Sequence, residues 1–247
     1  MQSLDLEEAV ALREAIDLWG VLDYPGATIE MRVETEIDRF RLGSCAKEPE
    51  TVAWIERSIG PGDVLYDIGA NVGAYALIAG TLVAGAGRVC AFEPGFSTYA
   101  TLVANILKND LGRVILPLNL ALSDTSGIST LAYSSLRSGA ALHTFGADET
   151  GSTAQLLASF RLDELVDHLG LPSPSAVKID VDGSELGVVQ GAATLLRRRG
   201  LRTVLIEVEE KTPVAGAIDS LLRDSGLSVT ERHFHERSGV TNLVYER

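Results

Sequence analysis

The chain has 247 residues, 46% of them hydrophobic, so it can bury a sizeable core as one domain rather than two. Its 21 Lys and Arg residues against 34 Asp and Glu residues give a formal net charge of −13, which repels phosphate backbones and anionic membrane surfaces. The composition therefore argues against nucleic acid as a partner.

The cysteines and the amino terminus bear on the compartment. Cys45 and Cys90 are too few for a disulfide framework, and Cys90 lies in the apolar run RVCAFEP, as a small buried hydrophobic residue would. The start, MQSLDLEEAV, lacks the basic residues and apolar core of a signal peptide, and no apolar stretch reaches the roughly 18 residues that a membrane span needs. We therefore expect a soluble, cytoplasmic protein without membrane insertion.

The predicted elements begin with a helix in LEEAVALREAIDLWG, followed by short strands in ATIEMRVETEIDRFRLG. Both belong to an amino-terminal segment, residues 1–50, that packs on the main sheet. From Val64 onward short β-rich runs alternate with helical ones, which is typical of a parallel sheet covered by helices on both faces. The predicted strands are VLYDIG, RVCAFEP, VILPLNLALS, AVKIDV and TVLIEV, and the predicted helices cover residues 72–83, 97–109, 162–169, 184–198 and 214–224.

Two further features complete the predicted domain, which spans residues 1–247. The strands LSVTERHF and TNLVYER flank the turn-like HERSGV and are predicted to pair antiparallel at the edge of the sheet. Residues 131–159 are rich in Ser, Gly, Ala and Thr, and long connections in compact domains are often functional. We therefore expect a lid or substrate loop there.

The turn DIGANVG, from Asp67 to Gly73, joins the first main strand to its helix. Gly69 and Gly73 let a ligand approach the backbone, and the amides that open the helix favour a carboxylate or phosphate. A dinucleotide fingerprint would place glycines at positions 69, 71 and 74, whereas this chain has Asn71 and Ala74. An acid such as Asp67 suits a ligand ammonium group, so the turn favours an amino-acid moiety over a pyrophosphate.

The next two strand ends extend this interpretation. Glu93 comes 20 residues after Gly73, close to the spacing of an acid that binds ribose hydroxyls. Ser123 and Asp124 can bind an adenine edge, although SDTSG is also a good turn sequence. Amino acid, ribose and adenine together predict S-adenosylmethionine. The predicted cofactor contacts are Asp67, Gly69, Asn71, Gly73, Glu93, Ser123 and Asp124; the alternative is that the glycines serve packing alone.

Methyl transfer is an in-line displacement, and a hydroxyl acceptor must also lose a proton. Asp180 and Asp182 point to the same side of an extended backbone, where they can orient the acceptor, share a proton or bind a cation. Asp180 is the stronger catalytic candidate, because Asp182 can instead cap the helix that begins near Ser184. His143, in GAALHTFG, is a second candidate base. A divalent metal, if one is used, would be held by Asp180, Asp182 and Glu207.

Motifs that the sequence lacks reduce the range of possible methyl acceptors. It has no Asn- or Asp-Pro-Pro-aromatic motif for planar amino groups, and no Pro-Cys after a strand for attack on cytosine. An alkyl hydroxyl is the simplest remaining acceptor. Lys178, on the strand that ends at the two aspartates, is predicted to satisfy a local acid or to hold the acceptor.

Several of these motifs together resemble the FkbM-type S-adenosylmethionine-dependent methyltransferases. The resemblance runs from Lys47 to Glu210 through KEPETVAWIERSIGPGDVLYDIGANVGAY, AFEPGFSTYATLVANI, LALSD, YSSLRSGAALHTFG, FRLDELV, VKIDVDGSELGVVQGA and VLIEVEE. It implies a Rossmann-like methyltransferase fold, in which a mostly parallel seven-stranded sheet has an antiparallel last strand and helices on both faces. It also implies O-methylation of sugars, glycans or other hydroxylated metabolites.

The resemblance carries over to single positions as well. Asp67, Gly69, Asn71, Gly73 and Glu93 fall where the family holds the cofactor, whereas Asp182 stands where the family more often has Glu. Two other functions stay open at this point. A nicotinamide-dependent oxidoreductase is disfavoured by the broken glycine pattern and by the lack of a Tyr-x-x-x-Lys pair in the helix where it would be expected. The third possibility is a non-catalytic cofactor-binding partner protein. The sequence assigns neither the acceptor nor an oligomeric state.

Overall fold

A computed structural model describes residues 5–83, 87–140, 144–146 and 154–247 of the chain. The amino-terminal segment forms helices and one short hairpin-like sheet. Its elements are α1 (Leu6–Ala15), β1 (Trp19–Val21), β2 (Glu30–Arg32), α2 (Glu36–Arg41), α3 (Ser44–Lys47) and α4 (Pro49–Ser58).

The strand prediction for ATIEMRVETEIDRFRLG is half right. Residues 30–32 form β2, which pairs antiparallel with β1, but the second half is the helix α2. The reason is a capping box: the Thr35 side chain accepts the Asp38 amide, and the Asp38 carboxylate accepts the amide of Thr35. This reciprocal pairing satisfies amides at the start of a helix, and it outweighs the β-rich composition before it.

The rest of the described chain alternates strands and helices. In chain order the elements are β3 (Val64–Ile68), α5 (Ala74–Leu82), β4 (Arg88–Phe92), α6 (Phe96–Lys108), β5 (Ile115–Leu118), β6 (Ala121–Leu122), β7 (Gly127–Ala132), β8 (Thr144–Phe145), β9 (Ala154–Phe160), α7 (Leu162–Asp167), β10 (Ala176–Ile179), α8 (Glu185–Gly191), β11 (Thr203–Val208), α9 (Pro213–Asp224), β12 (Ser228–His235) and β13 (Val240–Glu246).

Seven strands form the main sheet in the order β12-β13-β11-β10-β3-β4-β5. The five strands from β11 to β5 are parallel, and β13 runs antiparallel to both β11 and β12. The predicted fold class is confirmed, and the last strand lies inside the sheet with β12 at the edge. From β3 the chain turns to β4 on one side, while β10 lies on the other, so this is the point where strand order reverses.

Helices cover both faces of this sheet. One buried cluster joins the strands to α4, α5 and α6, with Trp54, Leu77 and Leu102 fully buried. The opposite cluster joins them to α7, α8 and α9. All four residues of β10 are buried, as expected for a parallel strand covered on both sides. None of the described helices is long and apolar enough to cross a membrane.

Two predicted elements are divided in the structure. The run VILPLNLALS forms β5 and β6, which belong to different sheets; between them Asn119 donates from Nδ2 to the carbonyl oxygens of Glu93 at 2.8 Å and Pro94 at 3.0 Å. The predicted helix at 184–198 ends at Gly191. A separate 3₁₀ turn follows at Leu195–Arg197, and its leading amides, those of Thr194 and Leu195, are bound by the carboxylate of Asp163.

A second sheet, in the order β6-β9-β7-β8, occupies much of the described part of the predicted lid. The strands β7 and β9 pair antiparallel over six residues each, from Gly127 opposite Ser159 to Ala132 opposite Ala154. The Ser- and Gly-rich composition of 131–159 concealed these strands. Their action as a lid stays a prediction, and His143 lies outside the described residues.

Candidate active site

A cavity of about 630 Å³ lies beyond the carboxyl ends of the central parallel strands. Its wall includes Gly69 after β3, Glu93 after β4, Asp180 after β10 and Glu207 near the end of β11. Ligands of open parallel sheets bind at this edge, beside the point where strand order reverses. Six acidic and two basic residues line the cavity, namely Glu93, Asp180, Asp182, Glu185, Glu207 and Glu209 against Arg41 and Lys47.

The glycine turn lies at one end of this cavity. Gly69 has φ +82°, and a Cβ there would lie 1.7 Å from the carbonyl oxygen of Asp180. Only glycine therefore lets the exits of β3 and β10 touch. Gly73 has φ +95°, and a Cβ there would lie 2.5 Å from Leu102 Cδ1. Both glycines have a packing role, and of the two only Gly69 lines the cavity.

Glu93 joins this turn to the end of β4. One carboxylate oxygen accepts the Asn71 amide at 3.0 Å, and the other accepts the Gly95 amide at 2.8 Å. Glu93 is only 7% exposed. Burial raises the pKa of its carboxyl to about 7, although the two amide hydrogen bonds act in the opposite direction. Glu93 is therefore held rigidly in the cavity wall, with further lone pairs able to accept from ligand hydroxyls.

Asp67 lies elsewhere than the sequence suggested. It is fully buried, it is not among the residues that line the cavity, and its carboxylate accepts no hydrogen bond from the residues that the structure describes. Burial raises its pKa, and the nearby Lys178 ammonium, 3.9 Å from Oδ1, opposes that effect. The cation that Asp67 faces thus belongs to the protein itself.

Lys178 is the centre of a buried charge cluster. Its Nζ donates to Asp180 Oδ2 at 2.9 Å and lies 5.1 Å from the centre of the Tyr75 ring. Although burial by itself lowers the pKa of Lys178, the carboxylates of Asp180, Asp67 and Glu48 raise it above its ordinary value. Lys178 thus satisfies local acids, one of the two roles that the sequence suggested.

Glu48 is a member of this cluster that the sequence did not identify. It stands directly before Pro49 at the start of α4 and is buried. Burial alone would raise the pKa of its carboxyl, but the charges of Lys178 and of Lys47, whose Nζ is 2.6 Å from Oε1, lower it to about 2. An acid in the N-terminal turn of a helix is usually solvated, so the sequence gave no sign of its burial.

The loop after β10 carries the two predicted catalytic aspartates, and both line the cavity. Asp182 adopts φ +54°, in the left-handed region. Glu185 stabilises this turn, since its Oε1 accepts the amides of Val181 at 3.3 Å and Gly183 at 3.0 Å. The side chain of Ser184 makes no capping hydrogen bond. Glu185 therefore performs the stabilising role that the sequence suggested for Asp182.

The proposed acidic metal set is not assembled. Within the described ranges, no group of three or more His, Cys, Asp or Glu side chains is arranged to hold a metal ion. Asp180, Asp182 and Glu207 all reach the cavity, but Asp180 is bound to the Lys178 ammonium. The described part of the chain therefore gives this predicted metal set no support.

Ser123 and Asp124 lie outside the cavity wall. Asp124 accepts hydrogen bonds from Ser123 Oγ at 3.1 Å and Thr125 Oγ1 at 3.2 Å, which is the turn that the sequence kept as an alternative. Ser123 also packs against α8, because a Cβ on Gly191 would lie 2.1 Å from its carbonyl oxygen. The wall in this region is made by the apolar residues Leu120, Ala121 and Leu122.

A clamp of residues 138–140 closes one side of the turn. Ser138 Oγ donates to Asp38 Oδ1 at 2.9 Å, and the Arg41 guanidinium donates to the Gly139 carbonyl at 3.1 Å. Asn71 Nδ2 donates to the Ala140 carbonyl at 3.1 Å. The sequence missed Asp38 and Arg41, although the capping box of α2 was readable in TEID. Asn71 thus holds the beginning of the predicted lid against the glycine turn.

Comparison with known proteins gives this geometry its context. The family model described as Methyltransferase FkbM domain matches residues 67–229. The hexuronic acid methyltransferase AglP of Haloferax volcanii is 28% identical over 188 residues, which cover 76% of this chain and 73% of that protein. The 31-O-demethyl-FK506 methyltransferase FkbM of Streptomyces tacrolimicus is 31% identical over 198 residues, covering 68% of this chain and 74% of that protein.

A solved structure agrees with the fold. The methyltransferase FkbM of Methylobacillus flagellatus superposes with a TM-score of 0.52 at 15% identity, covering 85% of this chain and 52% of that one. These comparisons give no support to the nicotinamide-dependent alternative. The family match spans the glycine turn, both aspartates after β10 and the acid of β11. The chain therefore belongs to the FkbM methyltransferase family and is an S-adenosylmethionine-dependent methyltransferase.

Proposed function

We propose that this enzyme methylates a hydroxyl oxygen of a sugar, a glycan or another small hydroxylated molecule. The observation that carries the proposal is the acidic cavity at the carboxyl ends of β3, β4, β10 and β11, which Glu93, Asp180 and Glu207 line. Two relatives carry names that specify a hexuronic acid and an O-demethylated substrate. The net charge of −13 argues against nucleic acid as the acceptor.

The cofactor end of the cavity fits S-adenosylmethionine in its donor chemistry. We assign Gly69, Asn71 and Glu93 to direct contact, with Glu93 accepting from the ribose hydroxyls. The apolar wall formed by residues 120–122 offers a surface for a flat ring. The other four predicted contacts, Asp67, Gly73, Ser123 and Asp124, are not among the residues that line the cavity.

S-adenosylmethionine, when bound, supplies an electrophilic methyl group on a positively charged sulfur. The excess of acids in the cavity wall favours such a positive ligand and its ammonium group. Asp180 and Asp182 would orient the acceptor beside it, and His143 stays a predicted contributor from the lid. Positioning and exclusion of water are the main tasks of the protein in an in-line displacement.

The acceptor end has a different character from the acidic floor. It extends toward α9 and the β12–β13 hairpin, where Val208, Val214, Ala215, Ile218 and Val240 line it. We therefore expect an acceptor that presents a hydroxyl next to an apolar face. We place the reaction in the cytoplasm, because Cys45 and Cys90 are both free and buried, as suits a reducing compartment.

Two measurements test the proposal in sequence. Calorimetric titration with S-adenosylhomocysteine should give saturable binding, whereas NAD should not bind. Labelled methyl transfer is then assayed on methyl β-D-glucopyranoside, on the corresponding glucuronide and on a hydroxylated macrolide. A labelled product that survives mild alkali is an ether and supports hydroxyl methylation. An alkali-labile ester as the only product would move the reaction to a carboxylate and overturn the proposed acceptor group.

A further inference from the structure

Glu207 occupies the cavity next to Asp180. The strands β10 and β11 are parallel, and their register places Ile179 opposite Ile206. The following residue of each strand is therefore Asp180 on one and Glu207 on the other, side by side at the same edge of the sheet. Both line the cavity, and Glu207 is half-buried there.

The two acids differ in what they bind. The carboxylate of Asp180 is engaged by the Lys178 ammonium at 2.9 Å. Lys178 is itself held by the buried carboxylates of Asp67 and Glu48. The carboxylate of Glu207 forms no hydrogen bond or ion pair with the side chain or backbone of any other residue that the structure describes. Its lone pairs are therefore available to a ligand hydroxyl, whereas one oxygen of Asp180 is already committed.

We propose that Glu207 is the general base that removes the proton of the acceptor hydroxyl, and that Asp180, fixed by Lys178, is a positioning residue beside it. This inference rests on the proposed hydroxyl methylation. It assigns the proton to a residue that the sequence had placed in a metal set.

The step balances without a further reactant. The acceptor O–H bond breaks and its proton passes to a carboxylate oxygen of Glu207. The electron pair of the hydroxyl oxygen forms the new bond to the methyl carbon, while the methyl–sulfur bond breaks and its pair stays on sulfur. One negative carboxylate and one positive sulfur are replaced by a neutral carboxylic acid and a neutral thioether. Glu207 then returns its proton to solvent.

The surroundings of Glu207 tune it for this task. The pKa of its carboxyl is raised to about 7: burial is the largest cause, the charges of Asp180 and Glu48 act in the same direction, and those of Lys178 and Lys47 oppose it. A base is most effective when its pKa lies near the working pH. Polar groups on the elements packed around it come from four places. They are Lys178 on β10 with Asp180 just after it, Lys47 and Glu48 before α4, Tyr75 on α5, and Asn242 on β13 with its partners Glu50 and His235.

The test compares three variants in the full chain, with the acceptor that gives most product among the three probes above. Glu207→Gln should lower kcat roughly 10²-fold or more and keep the affinity for S-adenosylhomocysteine within about twofold. It should also abolish the acidic limb of the pH profile, which is the fall of kcat/KM below about pH 7 as the base becomes protonated. Asp180→Asn should keep that limb and move it to lower pH, because the Asp180 charge raises the pKa of Glu207. Glu236→Gln removes the same charge from the exposed turn between β12 and β13, outside the cavity wall, and should keep the limb in place.

One pattern of results would overturn the assignment of the base to Glu207. If Asp180→Asn abolishes the limb while Glu207→Gln retains it, the base is Asp180 and the inference fails. Glu207→Asp should retain the limb at a reduced rate, which guards against a variant that merely misfolds. If the wild-type protein methylates no hydroxyl of any of the three probes, that result would count against the proposed function and not against the role of Glu207.

A measurement without turnover separates those two failures. In protein labelled with ¹³C at the Glu side-chain carboxyls and saturated with S-adenosylhomocysteine, two resonances should titrate near pH 7. Glu207→Gln should remove one and Glu93→Gln the other, in line with the raised pKa of each group. A Glu207 resonance that titrates near its ordinary value of 4.5 would overturn the inference even if no acceptor is turned over.

Discussion

The residues that surround an acidic side chain in this enzyme decide what that side chain binds. Glu93 and Asp67 both end up in the buried region of a β-strand exit, and the sequence predicted that both would contact the cofactor. Glu93 receives two backbone amides at the cavity wall, whereas Asp67 pairs in register with Lys178 of β10 inside the sheet. Strand register and the position of each residue along its strand therefore decide which group each acid binds. Neither can be read from the local sequence.

The first residue-scale prediction concerns Glu93. Replacing it by Ala removes the acceptor for the Asn71 and Gly95 amides and for the ribose hydroxyls. We expect S-adenosylhomocysteine binding to weaken by about 1 to 3 kcal/mol, the cost of leaving polar groups without partners. Calorimetric titration measures this loss, and Glu14→Ala on the exposed face of α1 is the control. Unchanged affinity in a folded Glu93→Ala protein would remove Glu93 from the cofactor site.

The second residue-scale prediction concerns Lys178. Lys178→Met leaves Asp67 buried without its cation and removes one of the two cations that face Glu48. We therefore expect a loss of stability of about 3 to 5 kcal/mol at pH 8. The loss should be smaller at pH 5, because the orphaned carboxylates can take up protons there. Urea unfolding at the two pH values gives the comparison. An equal loss at both would show that Lys178 contributes packing and not charge.

At the scale of elements, the contact between two strand exits is the most constrained feature of the site. The β3–α5 turn and the loop after β10 touch at Gly69, where a Cβ would lie 1.7 Å from the Asp180 carbonyl oxygen. Relaxing that overlap must move either the glycine turn or the aspartate loop. The proposed cofactor and acceptor positions would therefore be coupled through one backbone contact.

This coupling predicts a difference between two glycine substitutions. Gly62 has φ +90° with nothing within 4 Å of a built Cβ, whereas Gly69 has a similar φ with the overlap. Gly62→Ala should cost only about 1 to 2 kcal/mol of stability, the strain of the left-handed backbone. Gly69→Ala should cost roughly 3 kcal/mol or more and abolish S-adenosylhomocysteine binding. Equal stability of the two variants in urea would contradict the close approach.

The elements that the sequence predicted well are the ones with a strong periodic pattern. The parallel strands β3, β4, β10 and β11 read as continuous apolar runs because both faces are covered. The single strand predicted for VILPLNLALS is divided into β5 and β6 in the structure. The sequence did not show this division, because it depends on hydrogen bonds from Asn119 to the carbonyl oxygens of Glu93 and Pro94. The strands β7 and β9 were not predicted, because their Ser, Gly and Ala residues give no alternation of apolar and polar side chains. The backbone hydrogen bonds of these strands come from their antiparallel pairing with each other.

At the scale of the whole molecule, buried acids set the response of stability to pH. The pKa of Glu93 and that of Glu207 are each raised to about 7 from an ordinary value of 4.5, so the folded state binds more protons than the unfolded state between these values. Stability from these groups is fully present below pH 4.5 and is lost as pH rises through 7. The pKa of Glu48 is lowered to about 2, so its contribution is lost as pH falls from 4.5 through 2.

We therefore predict a stability maximum of the ligand-free protein near pH 4.5 to 5. By pH 8 the decline should reach roughly 3 kcal/mol from Glu93, with a smaller addition from the half-buried Glu207. Urea unfolding midpoints across that range measure it. The double variant Glu93→Gln with Glu207→Gln should flatten the decline, because it removes both groups that bind the extra protons. A decline of undiminished size in the double variant would assign the effect to general repulsion among the excess acids.

The sequence alone determined the fold class, the glycine turn, the cofactor and the family, because apolar periodicity and short motifs are local and survive without a structure. It also named most acids of the cavity wall, since Glu93, Asp180, Asp182 and Glu207 all stand at strand ends. Only the tertiary structure decided which acids line the cavity and which are paired with Lys178. Strand register and helix packing join residues far apart in the chain. They produce the Lys178 cluster, the burial of Glu48 and a Glu207 carboxylate that no described residue binds.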